Sequence, residues 1–341
     1  MGIQDPPNPL KRLDSRFHGN DENGTKRTFY ESINIPFFQY SMVILVLVMS
    51  FDILFNQFMS GIARASLLFL VASGLSLTFG VLRVLNFAHG SLYMLGAFVT
   101  YTIWKGLLIP VVGFYIATFL AALVMGGIGI IIEFFLLRRL YARGWPEQLL
   151  ATYAIVLIIT DLVKFGWGGE FLSIPRPVPF RGAVSLFGFP FPSYNFFVIL
   201  LGLALVIFLW WLVYRTRIGD IIRAAAHDRE MVAALGIPIP WLFTWIFVLG
   251  AMIAGLSGGV AGPYGAIALG MDIEIIVECF AVVVIGGMGS LPGTLLGSFI
   301  VGQVYAFGIM FKPELALAFI FMVMAAVLII RPWGIFGRPE R

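Results

Sequence analysis

The chain has 341 residues, of which 60% are hydrophobic and only 12% charged, and its mean hydropathy is +0.96. An ordinary soluble domain carries roughly 25% charged residues, so this composition excludes water as the main solvent and places the protein in lipid. The 22 basic and 18 acidic residues leave a formal charge of +4; in a membrane chain that excess marks the loops of one side rather than nucleic-acid binding. Cys279 is the only cysteine, which excludes an intrachain disulfide and argues against a thiolate metal or redox centre.

Residues 1–35 are polar and rich in Pro, Asn and charge, and read as a disordered tail. No apolar run with a small-residue cleavage site follows their basic residues, so no removable signal peptide is expected. The run Ser15 to Asp21 resembles translated intergenic repeat sequence, which puts the expected start of the functional chain further along.

A bilayer core about 30 Å thick needs about 20 apolar residues per helix. Segments 36–56, 58–80, 87–105, 112–136, 148–167, 195–214, 241–262, 274–290, 292–311 and 314–330 approach that requirement. The first contains Asp52 and runs almost directly into the second, so 36–57 reads as either a span or an interfacial helix. The pair 274–290 and 292–311 is interrupted at Gly286 to Gly293, and reads as two spans or one broken hairpin. The expected fold is therefore an all-α integral membrane protein. It is a polytopic bundle of 8–10 transmembrane helices, with broken helices and a cytoplasmic coupling helix.

Basic residues of short loops stay in the cytoplasm. Arg138, Arg139 and Arg143, then Arg215, Arg217, Arg223 and Arg229, then Arg331, Arg338 and Arg341 lie in three regions separated by even numbers of spans. Charge and parity thus put these loops and the C-terminal tail 336–341 on the cytoplasmic side. If 36–56 spans, the N-terminal basic residues join them. The longest opposite loop, 168–194, is rich in Pro and Gly.

The loop 215–240 is too long and too patterned for a simple connector. At helical spacing Ile221, Ile222, Ala225, Val232 and Leu235 share one side, and Asp220, Arg223, His227 and Glu230 the other. Gly236 and the following prolines end the helix. Such a segment is either a lever whose polar face docks on an ATPase or an interfacial helix lying on anionic lipid. Within the spans, Glu133, Asp161 and Glu278 are costly charges expected to face protein. Asp161 and Lys164, three apart, suggest an ion pair. Arg64 and Arg83 are expected to snorkel to the interfaces.

Asn86-Phe-Ala-His-Gly90, followed by Ser91 to Ala97, resembles the N-F-A-H-G signature of the branched-chain amino-acid permease family of ABC importers. Arg223 to Ile237 resembles that family's cytoplasmic loop, and Val284 to Gly297 its Gly-rich segment. The three occur in family order, and the similarity spans 58–335. The resemblance implies a non-catalytic, H-type permease subunit in the bacterial inner membrane. Its partners would be a second permease, two ATPases that bind ATP and Mg, and a periplasmic substrate-binding protein. Coupling to the ATPases would involve Asp220, Arg223, His227, Glu230 and Gly236. Asn86, His89, Gly90, Glu278, Gly286, Gly287 and Gly289 are candidates for the translocation path; each is also explained as bracing or close helix packing.

The chain has no G-x-x-x-x-G-K-[ST] loop, so it lacks that route to ATP, and no cofactor or metal is expected in it. Related signatures carry urea or short amides, which keeps those substrates as the alternative. An intramembrane enzyme would need a base near Ser91 or a second histidine near His89. A proton-coupled carrier would need a chain of carboxylates across the membrane, and would leave the lever-like loop unexplained.

Overall fold

The computed structural model describes the backbone of residues 35–337 except 85, 108, 110, 111, 142 and 187, and side chains from residue 51 with Leu186 excepted. The expectations for 1–34 and 338–341, the polar tail and the last basic residues, lie outside the described residues.

No Gly or Pro occurs between Pro36 and Gly61, so nothing interrupts the backbone ladder there, and α1 runs unbroken from Ile35 to Leu82. The expected segments 36–56 and 58–80 are one element, because a polar Asp52 does not break a helix. The following helices are α2 (Ala88–Leu107), α3 (Gly113–Ile132) and α4 (Arg138–Leu140), the last two joined without interruption by a π-turn at Glu133–Leu137. Then come α5 (Trp145–Trp167), α6 (Ser193–Arg215), α7 (Arg217–His227), α8 (Arg229–Ala234) and α9 (Ile239–Ala261). The chain closes with α10 (Met271–Gly286), α11 (Leu291–Phe311) and α12 (Ala316–Ile330). A two-stranded hairpin, β1 (Ala183–Leu186) with β2 (Phe189–Pro192), folds within the long loop before α6.

Among the described residues, seven helices are long and apolar enough to cross a membrane: Phe51–Leu82, Gly113–Leu140, Trp145–Trp167, Ser193–Arg215, Ile239–Ala261, Leu291–Phe311 and Pro313–Ile330. The polytopic helical class holds. The remaining two candidates for the expected 8–10 are interior helices: α2, mostly buried and carrying polar residues, and α10, of only 16 residues. Neither has to satisfy lipid on its own, so neither is selected for length and apolarity.

The centre of the bundle is held by close backbone approach. Gly96 of α2 packs on Gly255 of α9, Gly129 of α3 on Ala251, and a Cβ at Gly258 would run into the Tyr93 carbonyl. Lipid tails are as apolar as leucine, so dispersion at short range rather than the hydrophobic effect holds such helices together.

Contacts sort the connections into two ends. The end of α1 meets the α10–α11 turn through Gly80 and Gly289. The C-terminal segment joins that turn through Ile335 N–H to the Ile285 carbonyl and Phe336 N–H to the Gly286 carbonyl, both 2.9 Å. Arg229 reaches the Val81 carbonyl and Tyr141 stacks edge-on against Phe243, so the Arg-rich loops gather at this same end. The opposite end is closed by a bridge between Leu172 and Ile267 and by the Trp167 indole donating to Thr102 Oγ1 at 2.7 Å.

Candidate functional site

At the basic end the expected amphipathic helix is present, but as two pieces. Thr216 caps α7 by accepting from Gly219 N–H at 3.1 Å. Asp228 then takes an extended conformation (φ −144°) and caps α8 by accepting from Met231 N–H at 3.0 Å. A side chain that offers its own acceptor competes with helix continuation, and this is where the single expected helix breaks. Ile222, Ala225 and Val232 stay on the packed side, whereas the break leaves Leu235 74% exposed instead of joining them. Gly236 takes the expected left-handed turn, φ +84°.

The packed side is a cluster of Val81 and Leu82 at the end of α1, Val84 just after it, Leu137 in the π-turn, Ile222, Ala225 and Val232, and Leu242, Phe243, Ile246 and Phe247 of α9. One polar tie runs through it: the Arg229 guanidinium lies 5.1 Å over the Phe243 ring and donates to the Val81 carbonyl at 2.8 Å, satisfying a helix-end acceptor that α1 leaves open. Burial and the nearby Arg83 charge lower the Arg229 pKa from its ordinary value. Beneath this layer the buried Glu133 accepts from Thr244 Oγ1 at 2.6 Å and Tyr141 Oη at 3.2 Å, with Arg138 at 3.5 Å. Asp220, Arg223, His227, Glu230 and Gly236 are all exposed. Arg223 is engaged within α7 and with the end of α6, pairing with Asp220 at 2.7 Å and donating to the Val213 carbonyl.

The second region is inside the bundle. Gly74 touches both the His89 ring and Gly250, the midpoint of α9, so α2 starts at mid-depth after a short non-helical stretch from Arg83, the one described non-glycine residue with positive φ (55°). Arg83 is exposed. His89 is buried, with Nε2 2.9 Å from the Val71 carbonyl, which requires the proton on Nε2. Asn86 is also buried, and its Oδ1 has no partner among the described residues. Gly90 lets the first turn of α2 lie on the Asp272 carbonyl in the first turn of α10. Ser91 Oγ donates to Asp272 Oδ2 at 3.1 Å, with Thr160 Oγ1 at 3.5 Å. The N-terminal turns of α2 and α10 thus converge on one buried carboxylate, whose Oδ1 has no partner among the described residues.

Glu278 is two turns further along α10. It does not stand alone: Arg64 Nη2 reaches its Oε1 at 2.6 Å and Oε2 at 2.8 Å. The expected snorkelling of Arg64 is therefore corrected, because a carboxylate at the same depth neutralises it more cheaply than a climb to the interface. The expected pair of Asp161 and Lys164 does not form; both are exposed, and among the described residues neither makes an ion pair. Gly286, Gly287 and Gly289 build the tight turn at the basic end, where a Cβ on each would meet the backbone of Gly293, Gly337 and Gly80. Their placement is close packing, with φ +102° and +79° at Gly287 and Gly289.

Sequence reasoning missed Asp272, because the apolar run was taken to start at residue 274. It also missed the Arg64–Glu278 pairing, which joins residues 214 positions apart. The only signal for the pair was the presence of one unmatched charge of each sign inside apolar runs.

A buried, glycine-packed centre, two helices beginning inside the bundle and a two-helix appendage tied to span ends define a polytopic membrane permease. The chain belongs to the family described as branched-chain amino acid transport system / permease component, whose model matches residues 57–328. It is 29% identical to the high-affinity branched-chain amino acid transport system permease protein BraD of Pseudomonas aeruginosa, over 84% of this chain and 96% of that one. It is 28% identical to LivH of Escherichia coli K12, a permease of the same description, with the same shares of both chains. With a probable LivH of Methanocaldococcus jannaschii the identity is 31%, over 81% and 90%.

Proposed function

We propose that this chain is one permease subunit of an inner-membrane ABC importer that carries branched-chain amino acids inward. Its partners in this reading are a second permease, two cytoplasmic ATPases and a periplasmic binding protein. The basic end is cytoplasmic, as the concentration of arginines there supports. The substrate class rests on the similarity to BraD and LivH, whose names state it.

The observation that carries the partner-driven reading is the anchoring of α7 and α8. One side is fixed by the cluster and by Arg229 to the ends of α1, α3 and α9, while the other leaves Ile218, Met231 and Leu235 more than half exposed among charged residues. A segment held this way transmits a push to three spans at once, and its exposed side is free for a nucleotide-driven partner. A lipid-bound helix needs a continuous apolar face toward the bilayer, and here that face is used against the protein.

Affinity capture of the tagged chain from mild-detergent extracts of native membranes, read by mass spectrometry, tests this. Recovery of P-loop ATPases and a second multispanning subunit is expected. Recovery of the chain alone, where a control ABC complex stays intact, contradicts it.

A further inference from the structure

The Arg64–Glu278 pair has features that a permanent brace does not need. Both bonds to the carboxylate come from one nitrogen, Nη2, whereas a guanidinium has five donors arranged as a fork. Nε is buried with no partner among the described residues. The Arg64 side chain is 20% exposed although Glu278 is only 3% exposed, so the pair reaches the surface of the bundle on the arginine side. The Tyr305 ring, 4.5 Å from the guanidinium carbon, fixes the plane of the fork.

What lies beside the pair is also informative. Along α10, Glu274 is exposed and Val277, Phe280 and Val284 are partly exposed, ending in Met288. These positions follow helical spacing and form one stripe. Phe87, just before α2, stacks on Phe280 at 4.9 Å between ring centres. A small apolar pocket lined by Leu75, Phe79, Phe280, Val283, Val284 and Met288 lies further along α10 toward the basic end. With Arg64 partly exposed, Glu274 exposed, Glu278 buried just behind them and apolar residues further along α10, this region matches a molecule that carries a carboxylate, an ammonium and an aliphatic chain. A neutral urea or amide uses neither charge.

Resting on the importer reading above, we propose that Arg64 and Glu278 form a zwitterion subsite on the translocation path for aliphatic α-amino acids. The substrate carboxylate meets the exposed side of the Arg64 guanidinium, and its ammonium joins Glu278 as the pair opens, with Glu274 one turn away. The aliphatic chain lies on Val277, Phe280 and Val284. Because the substrate brings both charges, neither protein charge is left bare as the substrate enters or leaves. A molecule with only one charge strands one of them.

The test uses the full complex with its ATPases and binding protein, reconstituted in liposomes, measuring leucine uptake and ATP hydrolysis together. The exchange Arg64→Glu with Glu278→Arg keeps an ion pair but reverses its direction. Leucine carried per ATP hydrolysed is expected to fall roughly tenfold or more in the assembled complex. Arg64→Lys, which keeps the pair as a point charge but loses the fork, is expected to lower leucine per ATP by roughly tenfold while the complex remains assembled. This second variant decides the matter if the exchanged pair does not assemble. Unchanged leucine per ATP in either assembled variant overturns the subsite and makes the pair a brace. Failure of the importer reading has a different signature: the unsubstituted complex would show no ATP-driven leucine uptake.

Discussion

The centre and the rim of this bundle obey opposite rules. In the central Phe51–Leu82 and α9, 83% and 61% of the apolar window is buried, and the neighbouring α2 and α10 bring His89, Ser91, Asp272 and Glu278 to the same centre as the closely packed glycines. In α6 and the last span the buried share is 22% and 11%, and leucine, isoleucine, phenylalanine and tryptophan face outward. In water the arrangement would be reversed. In lipid, apolar surface gains little by leaving the solvent, so the fold depends on short backbone distances and satisfied polar groups at the centre, and the rim only has to be apolar.

Substitutions that attack each rule separately break this contrast. The largest effect belongs to Gly258→Leu, whose Cβ has no room against the Tyr93 carbonyl. A loss of about 3 kcal/mol or more is expected, seen as collapse of the monodisperse peak in detergent chromatography, whereas Gly127→Leu, with open space around it, stays within about 0.5 kcal/mol. Glu133→Ala comes next: it removes the acceptor shared by Thr244, Tyr141 and Arg138. A cost of about 2 kcal/mol is expected in thermal unfolding, and Glu133→Gln should recover part of it. Arg229→Ala opens the tie to the Val81 carbonyl at about 1 kcal/mol; its main effect should be on coupling, with ATP hydrolysis retained and uptake reduced severalfold in vesicles. The smallest effect is expected on the rim, where Leu203→Ala, at a 54% exposed site, should change the unfolding stability by less than about 0.5 kcal/mol in thermal unfolding.

The rim was the legible part. Long apolar runs bounded by Arg, Gly and Pro locate α5, α6, α11 and α12 to within a few residues, because each must satisfy lipid by its own composition. The amphipathic pattern of 215–240 located the appendage for the same local reason. The centre was less legible because its logic is pairwise and distant. Nothing near Arg64 announces Glu278, and Asp272 reads as a loop residue until α2 is seen to begin beside it. The fusion of 36–56 with 58–80 into α1 was misread from polarity, although the absence of Gly and Pro there already favoured continuity. Glycines carried no sign of which role they play: Gly286, Gly287 and Gly289 pack against backbone, a fact that depends on segments from Gly80 and Gly337.

The central claim, that a partner's ATP hydrolysis moves substrate through this subunit, is tested most directly by labelled leucine uptake into liposomes holding the complete complex, with ATP enclosed or withheld. Uptake that requires ATP, the binding protein and the ATPases, and that persists when the proton gradient is collapsed, is the predicted result. Uptake by this chain alone, driven by a proton gradient and indifferent to ATP, would contradict it.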